Sequence, residues 1–377
     1  MPYGFDTATV PSSYMKSPKR LRRSASFVSA LALITAACGG TTSAPLAEID
    51  GAAAVIFPGE CQPATGDELT IYSGRDQELV GPVLDAFECA TGISTVTNFG
   101  DPTDLALLLV EEGERTPADV FLSKSPGSVG FLQNEGFLQE LSDDVTSLVS
   151  AENTASNSTW VGITGRQRVL VYNTDLVDEA DLPESVFELT EERFRGQVAI
   201  PATNGSFQDW FTVFRAQQGD DVAAQWLSDM VANDAIVTES NRPTVDAVGR
   251  GEFSFGLVNH YYNFQQAEAL GDVHRALNHN FAADDIGSLV IVTAAGITNS
   301  SDNVEQSEQL IEFFLSEESQ TYFTNDSLEF PLSADVEPAD VLPELDDAGT
   351  DFDVPFDNLG DGLEASIEII EGSGILG

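Results

Sequence analysis

Basic residues are scarce: 16 Lys and Arg stand against 62 Asp and Glu in 377 residues, a formal charge of −46. So acidic a surface repels nucleic-acid phosphates and anionic lipid headgroups, and neither is expected as a partner. The acids are spread along the whole chain, which fits a solvated surface in a high-salt habitat better than a dedicated trap for cationic cargo. Histidine is confined to His260, His274 and His279, and cysteine to Cys38, Cys61 and Cys89. No phosphate-binding Walker loop, dinucleotide fingerprint, nucleophile elbow or His-Glu-x-x-His metal motif is present, so the common routes to nucleotide, redox and zinc chemistry are closed.

No apolar run is long enough to be read as a permanent bilayer span. The longest near the start, Phe27 to Ala37, follows Lys16, Lys19, Arg20, Arg22 and Arg23 and ends in small residues before Cys38. That order is an export signal. Leu33-Ile34-Thr35-Ala36-Ala37-Cys38-Gly39-Gly40 resembles a bacterial lipobox, in which the cysteine is lipidated. Thr35 replaces the preferred Leu, so ordinary signal-peptidase cleavage stays open, and the late basic stretch makes Met15 a candidate start. Residues 1–37 are therefore expected to be a lipoprotein-type signal peptide and 38–65 a tether to the membrane. Loss of 1–37 leaves 11 basic against 61 acidic residues, a charge of −50. In an exported protein the remaining pair, Cys61 and Cys89, suggests a disulfide pinning the incoming chain to the first helix, with two buried free thiols as the alternative.

From Leu69 onward short β runs alternate with helical stretches, an α/β pattern with mostly parallel sheets. Strands are expected at Leu69–Tyr72, Thr95–Asn98, Asp119–Ser123 and Val198–Ile200, with a long run from Val161 to Asn173 where the chain crosses between lobes. Pro82 predicts that the first helix becomes regular only there. Asp101-Pro102 and Pro126 open further helices. The chain exceeds what one core usually organises. Two lobes are expected, 66–165 plus 288–335 and 166–287 plus 336–377, hinged as a clamshell with the ligand in the cleft. The acids Asp346, Asp347, Asp351, Asp353, Asp357 and Asp361 lack Ca²⁺-loop spacing and are expected to form a solvated tail.

Tyr261-Tyr262 is the pair with most chemical promise. Adjacent residues of a regular strand face opposite ways, so both phenols reach one ion only where the strand ends or bends. Around it, Ile71-Tyr72-Ser73-Gly74-Arg75, Thr116-Pro117-Ala118-Asp119-Val120-Phe121, Gly162-Ile163-Thr164-Gly165-Arg166-Gln167-Arg168, Asn204-Gly205-Ser206-Phe207, Asn259-His260-Tyr261-Tyr262 and Gly287-Ser288-Leu289-Val290 occur in that order. This ordered set resembles the periplasmic ferric-ion-binding proteins of bacterial iron ABC importers, members of the type II periplasmic binding fold.

The resemblance implies a non-enzymatic binding protein whose cargo is Fe(III), held by Tyr261 and Tyr262 as phenolates. Such hard anionic oxygen donors suit a trivalent cation. It further implies an exogenous synergistic anion held by Asn204, Gly205, Ser206, Asn241 and Asn259, with Arg166, Arg168 or Lys124 as pairing cations. The family's first-lobe His and Glu correspond to Asp76 and Lys124. Asp76 still offers a carboxylate, whereas an ammonium cannot ligate a metal. A third tyrosine found in other members corresponds to Gly165. The implied partners are ABC permease and ATPase subunits, met by a monomer anchored outside the cytoplasm. His260 is expected to be structural, and His274 and His279 to lie in an exposed loop. Two rival readings remain: the same fold taking an organic cation, polyamine, thiamine-like molecule or oxyanion, or an Fe(III)-tyrosinate enzyme.

Overall fold

The computed structural model describes residues 49–282, 284–333, 336–343, 359 and 362–377. The signal segment, Cys38 and the acidic cluster Asp346–Asp361 lie outside them. Ten strands form one sheet: β1 (Glu68–Ser73), β2 (Ser94–Phe99), β3 (Val120–Ser123), β4 (Val161–Asn173), β5 (Val198–Ile200), β6 (Ile236–Val237), β7 (Phe255–Asn259), β8 (Ala276–His279), β9 (Val290–Ile297) and β10 (Phe330–Pro331). The helices before β4 are α1 (Gly51–Ile56), α2 (Gln77–Thr91), α3 (Pro102–Glu112), α4 (Pro126–Asn134) and α5 (Asp143–Thr146). After β5 come α6 (Gly205–Gln218), α7 (Asp220–Ala232), α8 (Asn241–Gly249), α9 (His260–Leu270), α10 (Val304–Phe314), α11 (Glu317–Tyr322) and α12 (Gly362–Gly372).

The strand order is β2-β1-β3-β9-β4-β7-β5-β6, with β8 and β10 also on β4. Parallel pairing is confined to the flanks, β2-β1-β3 on one side and β7-β5-β6 on the other. The middle is antiparallel because β4 and β9 run between the two βα regions instead of returning through a helix. The sheet is therefore mixed rather than mostly parallel. All thirteen residues of β4 are buried, as expected for a strand covered on both faces. Its first half pairs with β9 and β10, its second with β7 and β8, so one rigid strand carries both flanks.

Two sequence expectations change locally. Helix α2 starts at Gln77 and runs through Pro82. Proline removes one backbone bond, but Val80, Val83, Leu84 and Phe87 form a continuous buried face that keeps the helix whole. His279 is not in a loop but ends β8, its Nε2 2.7 Å from the Pro183 carbonyl; His274 lies in the loop before β8 as expected, but half-buried, its Nε2 2.7 Å from Asn263 Oδ1. Ala276-Leu277-Asn278-His279 lacks a strand signature of its own; the free side of β4 recruits it.

Cys61 and Cys89 form a disulfide. Beside it, Gln62 N donates to Cys89 O and Thr65 N to Gly92 O, lacing the segment before β1 onto the end of α2. Gly92 ends that helix at φ +77°, and a Cβ there would sit 2.2 Å from Pro63 O, so glycine is required on both counts.

Candidate functional site

β7 ends at Asn259, and the chain turns at once into α9, which places Tyr261 and Tyr262 in a first helical turn. Successive helical residues point roughly 100° apart rather than opposite ways. The two rings consequently share a side, with centroids 4.4 Å apart at a tilt of 34°. His260 lies behind them. Gln167 N donates to its Nδ1, which fixes the tautomer, so Nε2 carries the hydrogen and donates to Leu328 O at 2.6 Å. Burial pushes its pKa down to about 4. The ring is neutral with both nitrogens engaged, a brace for the helix start and no ligand.

The phenols face a cavity of about 330 Å³. Five helices point their N-terminal ends at it: Asp76 precedes α2, Pro102 opens α3, Ser125 precedes α4, Asn204 to Ser206 open α6, and the tyrosines open α9. Each such end carries partial positive charge, with one amide taken by a side-chain cap at α3 (Thr103 N by Asp101), α4 (Ser128 N by Ser125) and α6 (Ser206 N by Asn204). A strongly acidic chain thus builds one interior region that favours anions, phenolate and exogenous oxyanion alike.

Helix α6 is held in place from below and behind. Phe207, Trp210, Phe211 and Phe214 form its buried stripe, and Trp210 Nε1 donates to Ile286 O at 2.8 Å. Asn204 caps it, its Oδ1 accepting from Ser206 N at 3.1 Å and Ser206 Oγ at 2.6 Å. Asn241 Nδ2 donates to Asn204 Oδ1 and Ser206 Oγ, while its Oδ1 accepts from Arg168 Nη1 and Asn259 N. Arg168 also donates to Ser206 O. This buried Arg168 has its pKa lowered to about 9, first by desolvation and then by neighbouring Arg166.

Arg166, 3% exposed, reaches the cavity itself. One Nη donates to Lys124 O, and Nε has no partner. Lys124 Nζ stands 3.7 Å from Asp76 Oδ1 at the rim, where 37% and 77% exposure make the pair weak. Asp209 lines the same cavity, accepts from Ser125 Oγ at 2.6 Å, and has its pKa raised to about 6 by burial.

On their other side the tyrosines, with Arg75 and Asp76, line a second cavity of about 340 Å³ that holds Glu78, Asp326 and Glu329. Arg75 is paired within it: its Nη2 donates to both Glu329 oxygens at 2.9 Å, and Thr164 Oγ1 donates to Oε2 at 2.7 Å. Burial opposes the Arg75 charge, and Glu329, Tyr261 and Asp76 together outweigh that effect, so its pKa is raised. The phenols stand between an acid-rich side and a donor-rich side. Burial, then Tyr261 next to it, pushes the Tyr262 phenol up from its ordinary value, so Tyr262 is neutral until a cation takes its proton. Among the described residues no cluster of three His, Cys, Asp or Glu is arranged for a metal; metal chemistry here needs phenolate.

Of the residues singled out in the sequence, Tyr261, Tyr262, Asp76, Lys124, Arg166, Asn204, Gly205 and Ser206 line one cavity. Asn241 and Asn259 do not; both are buried behind α6 and α9 as braces. Gly165 is walled in: a Cβ there would meet Val290 Cγ1 at 3.0 Å, so β4 has no room for a third phenol. Sequence reasoning passed over Asp209, Glu329 and the apolar wall of Leu363 and Ile367 from α12. Asp209 had one legible signal, its place four residues after Gly205 on the same helical face.

The sequence model of the family described as "Bacterial extracellular solute-binding protein" matches residues 115–358. The chain is 30% identical over 278 residues to the major ferric iron-binding protein of Neisseria meningitidis serogroup B, covering 73% of this chain and 83% of that one. It is 27% identical over 272 residues to the Fe(3+)-binding periplasmic protein of Serratia marcescens, covering 71% and 80%. Iron-bound HitA from Pseudomonas aeruginosa matches in structure with a TM-score of 0.76 and 29% identity, covering 82% of this chain and 99% of that one.

Proposed function

The chain belongs to the bacterial extracellular solute-binding proteins, and from that premise we propose that it captures ferric iron, with an exogenous anion, for delivery to a membrane permease. Its fold is the two-lobed type II periplasmic binding fold that the sequence resemblance implies. The observation that carries the reading is the pair of phenol rings 4.4 Å apart on the first turn of α9, over a cavity ringed by helix N-termini.

In this reading residues 66–165 plus 288–335 and residues 166–287 plus 336–377 are the two lobes. Fe(III) takes Tyr261 and Tyr262 as phenolates. The Gly205 amide opening α6, Arg166 and Lys124 hold an anion that fills further coordination positions, and Asp76 is the available first-lobe carboxylate. Each phenol that ionises releases one proton, so affinity falls about tenfold per proton for each pH unit of acidification. The loaded protein meets the permease and ATPase subunits of an ABC importer as a monomer. Outside the cytoplasm it is anchored by a lipid on Cys38 after loss of the signal peptide 1–37; of the expected tether 38–65, α1 packs into the core through Ala53 and Ile56 and Cys61 is bonded to Cys89, so that part belongs to the folded lobe.

Replacing Tyr261 and Tyr262 together by Phe tests the assignment. The native protein loaded with Fe(III) is expected to show a visible phenolate-to-iron charge-transfer band, and the double variant to lose it while keeping its circular dichroism spectrum. An unchanged band or unchanged iron affinity sinks the reading. Lys124 beside the site favours a second reading, an oxyanion as cargo without metal; a colourless protein that retains such a ligand in its mass spectrum would support it.

A further inference from the structure

Asp209 is an unexpected residue for an anion subsite. It is 6% exposed and lines the cavity shared by Gly205, Ser206, Lys124 and Arg166. Its place four residues after Gly205 puts it one turn below the α6 opening, on the same face. The donors nearby are the Gly205 amide at the α6 opening, the Lys124 ammonium, and Arg166, whose buried Nε has no protein partner; Asp101 and the exposed Asp76 are the other carboxylates of the lining. A buried carboxylate among these donors raises the energy of any bound anion unless a hydrogen lies between the two.

We propose that Asp209 is a specificity-determining residue that admits oxyanions carrying an ionisable proton and excludes fully ionised ones. The proposal rests on the anion subsite of the preceding reading. An ionised carboxylate is acceptor-only. A tetrahedral anion that keeps a proton at neutral pH, such as hydrogenphosphate, donates a hydrogen bond through it to Asp209 and accepts from Arg166 Nε and the Gly205 amide. Sulfate, of nearly the same size, brings only lone pairs, so two anionic oxygens would meet with nothing between them. Ser125 Oγ, donating to Asp209 Oδ1 at 2.6 Å, holds the carboxylate in place. The charged groups facing Asp209 are Arg166 and Arg168 from β4 and Asp101 from the start of α3. Burial raises its pKa to about 6, which leaves it mainly ionised at neutral pH and ready to accept.

The test measures inorganic phosphate and sulfate binding to the full-length protein by titration calorimetry at pH 7.5, without metal and again with Fe(III). Arsenate and selenate serve as a second pair, matched in shape and differing in the proton. Phosphate and arsenate are expected to bind about a hundredfold more tightly than sulfate and selenate. Asp209→Asn, which retains an acceptor for Ser125, is expected to reduce that preference to less than about tenfold. Equal binding of the two classes by the native protein, or an unchanged preference in the variant, overturns the proposal, as does failure of all four anions to bind. The metal-free titrations separate this outcome from failure of the iron reading: discrimination without any iron uptake leaves Asp209 assigned and removes only the metal.

Discussion

Glu329→Gln is expected to be the most destabilising conservative substitution near the site. Arg75 and Glu329 are 7% and 1% exposed, and Glu329 takes two hydrogen bonds from Arg75 and one from Thr164. Breaking a buried ion pair by removing one charge costs about 3–5 kcal/mol, most of it from the partner left uncompensated. Glutamine keeps one carbonyl acceptor, so the expected loss is near the lower end, about 3 kcal/mol. Urea unfolding at pH 7 reads this directly. A double variant, Arg75→Met with Glu329→Leu, removes both charges and fills the space with apolar atoms; it is expected to cost only about 1 kcal/mol, from the Thr164 hydroxyl losing its acceptor. The single variant should also weaken Fe(III) binding, because an unpaired guanidinium then lies beside Tyr261. The reasoning is refuted if Glu329→Gln costs under about 1 kcal/mol, or if the double variant costs as much as the two single replacements added together.

Three further outcomes are expected. Reducing the Cys61–Cys89 bond, or replacing both residues by Ala, should lower stability by about 3.5 kcal/mol, from the chain-entropy value for its sequence separation of 28; unfolding curves that coincide with and without reductant would exclude this. Asn204→Ala removes the α6 cap and an acceptor for Asn241, so stability should drop by about 1 kcal/mol and phosphate affinity with it; an unaltered phosphate titration would separate the cap from the anion. Asp209 has a folded pKa raised to about 6, so its neutral form is favoured by folding. Its stabilising contribution is present below about pH 4 and lost as pH rises through 6. Metal-free Asp209→Asn should therefore be more stable than the native protein by about 3 kcal/mol at pH 8, a gap that closes below about pH 4, and a stability difference independent of pH would contradict this. A buried carboxylate that costs stability at neutral pH is a mark of use rather than of folding.

Local chemistry in the sequence determined a good deal by itself. The alternation of short β runs with amphipathic stretches set the α/β class, and the Asp101-Pro102, Pro126 and Asn204-Gly205-Ser206 openings located α3, α4 and α6, because caps and proline act within a few residues of themselves. Tyr261-Tyr262 was visible as a pair, and its helical placement was not: only the end of β7 at Asn259 turns two neighbours that a strand would oppose into rings on one side. Tertiary structure alone also decided that Asn241 braces rather than lines the cavity, that Gly165 is too enclosed for a third phenol, and that β8 pairs with β4. Arg75 with Glu329, Ser125 with Asp209 and α12 against the cavity join residues more than eighty positions apart. Such contacts follow from how β4 and β9 carry the two flanks of the sheet, and no pattern within a window of sequence encodes them.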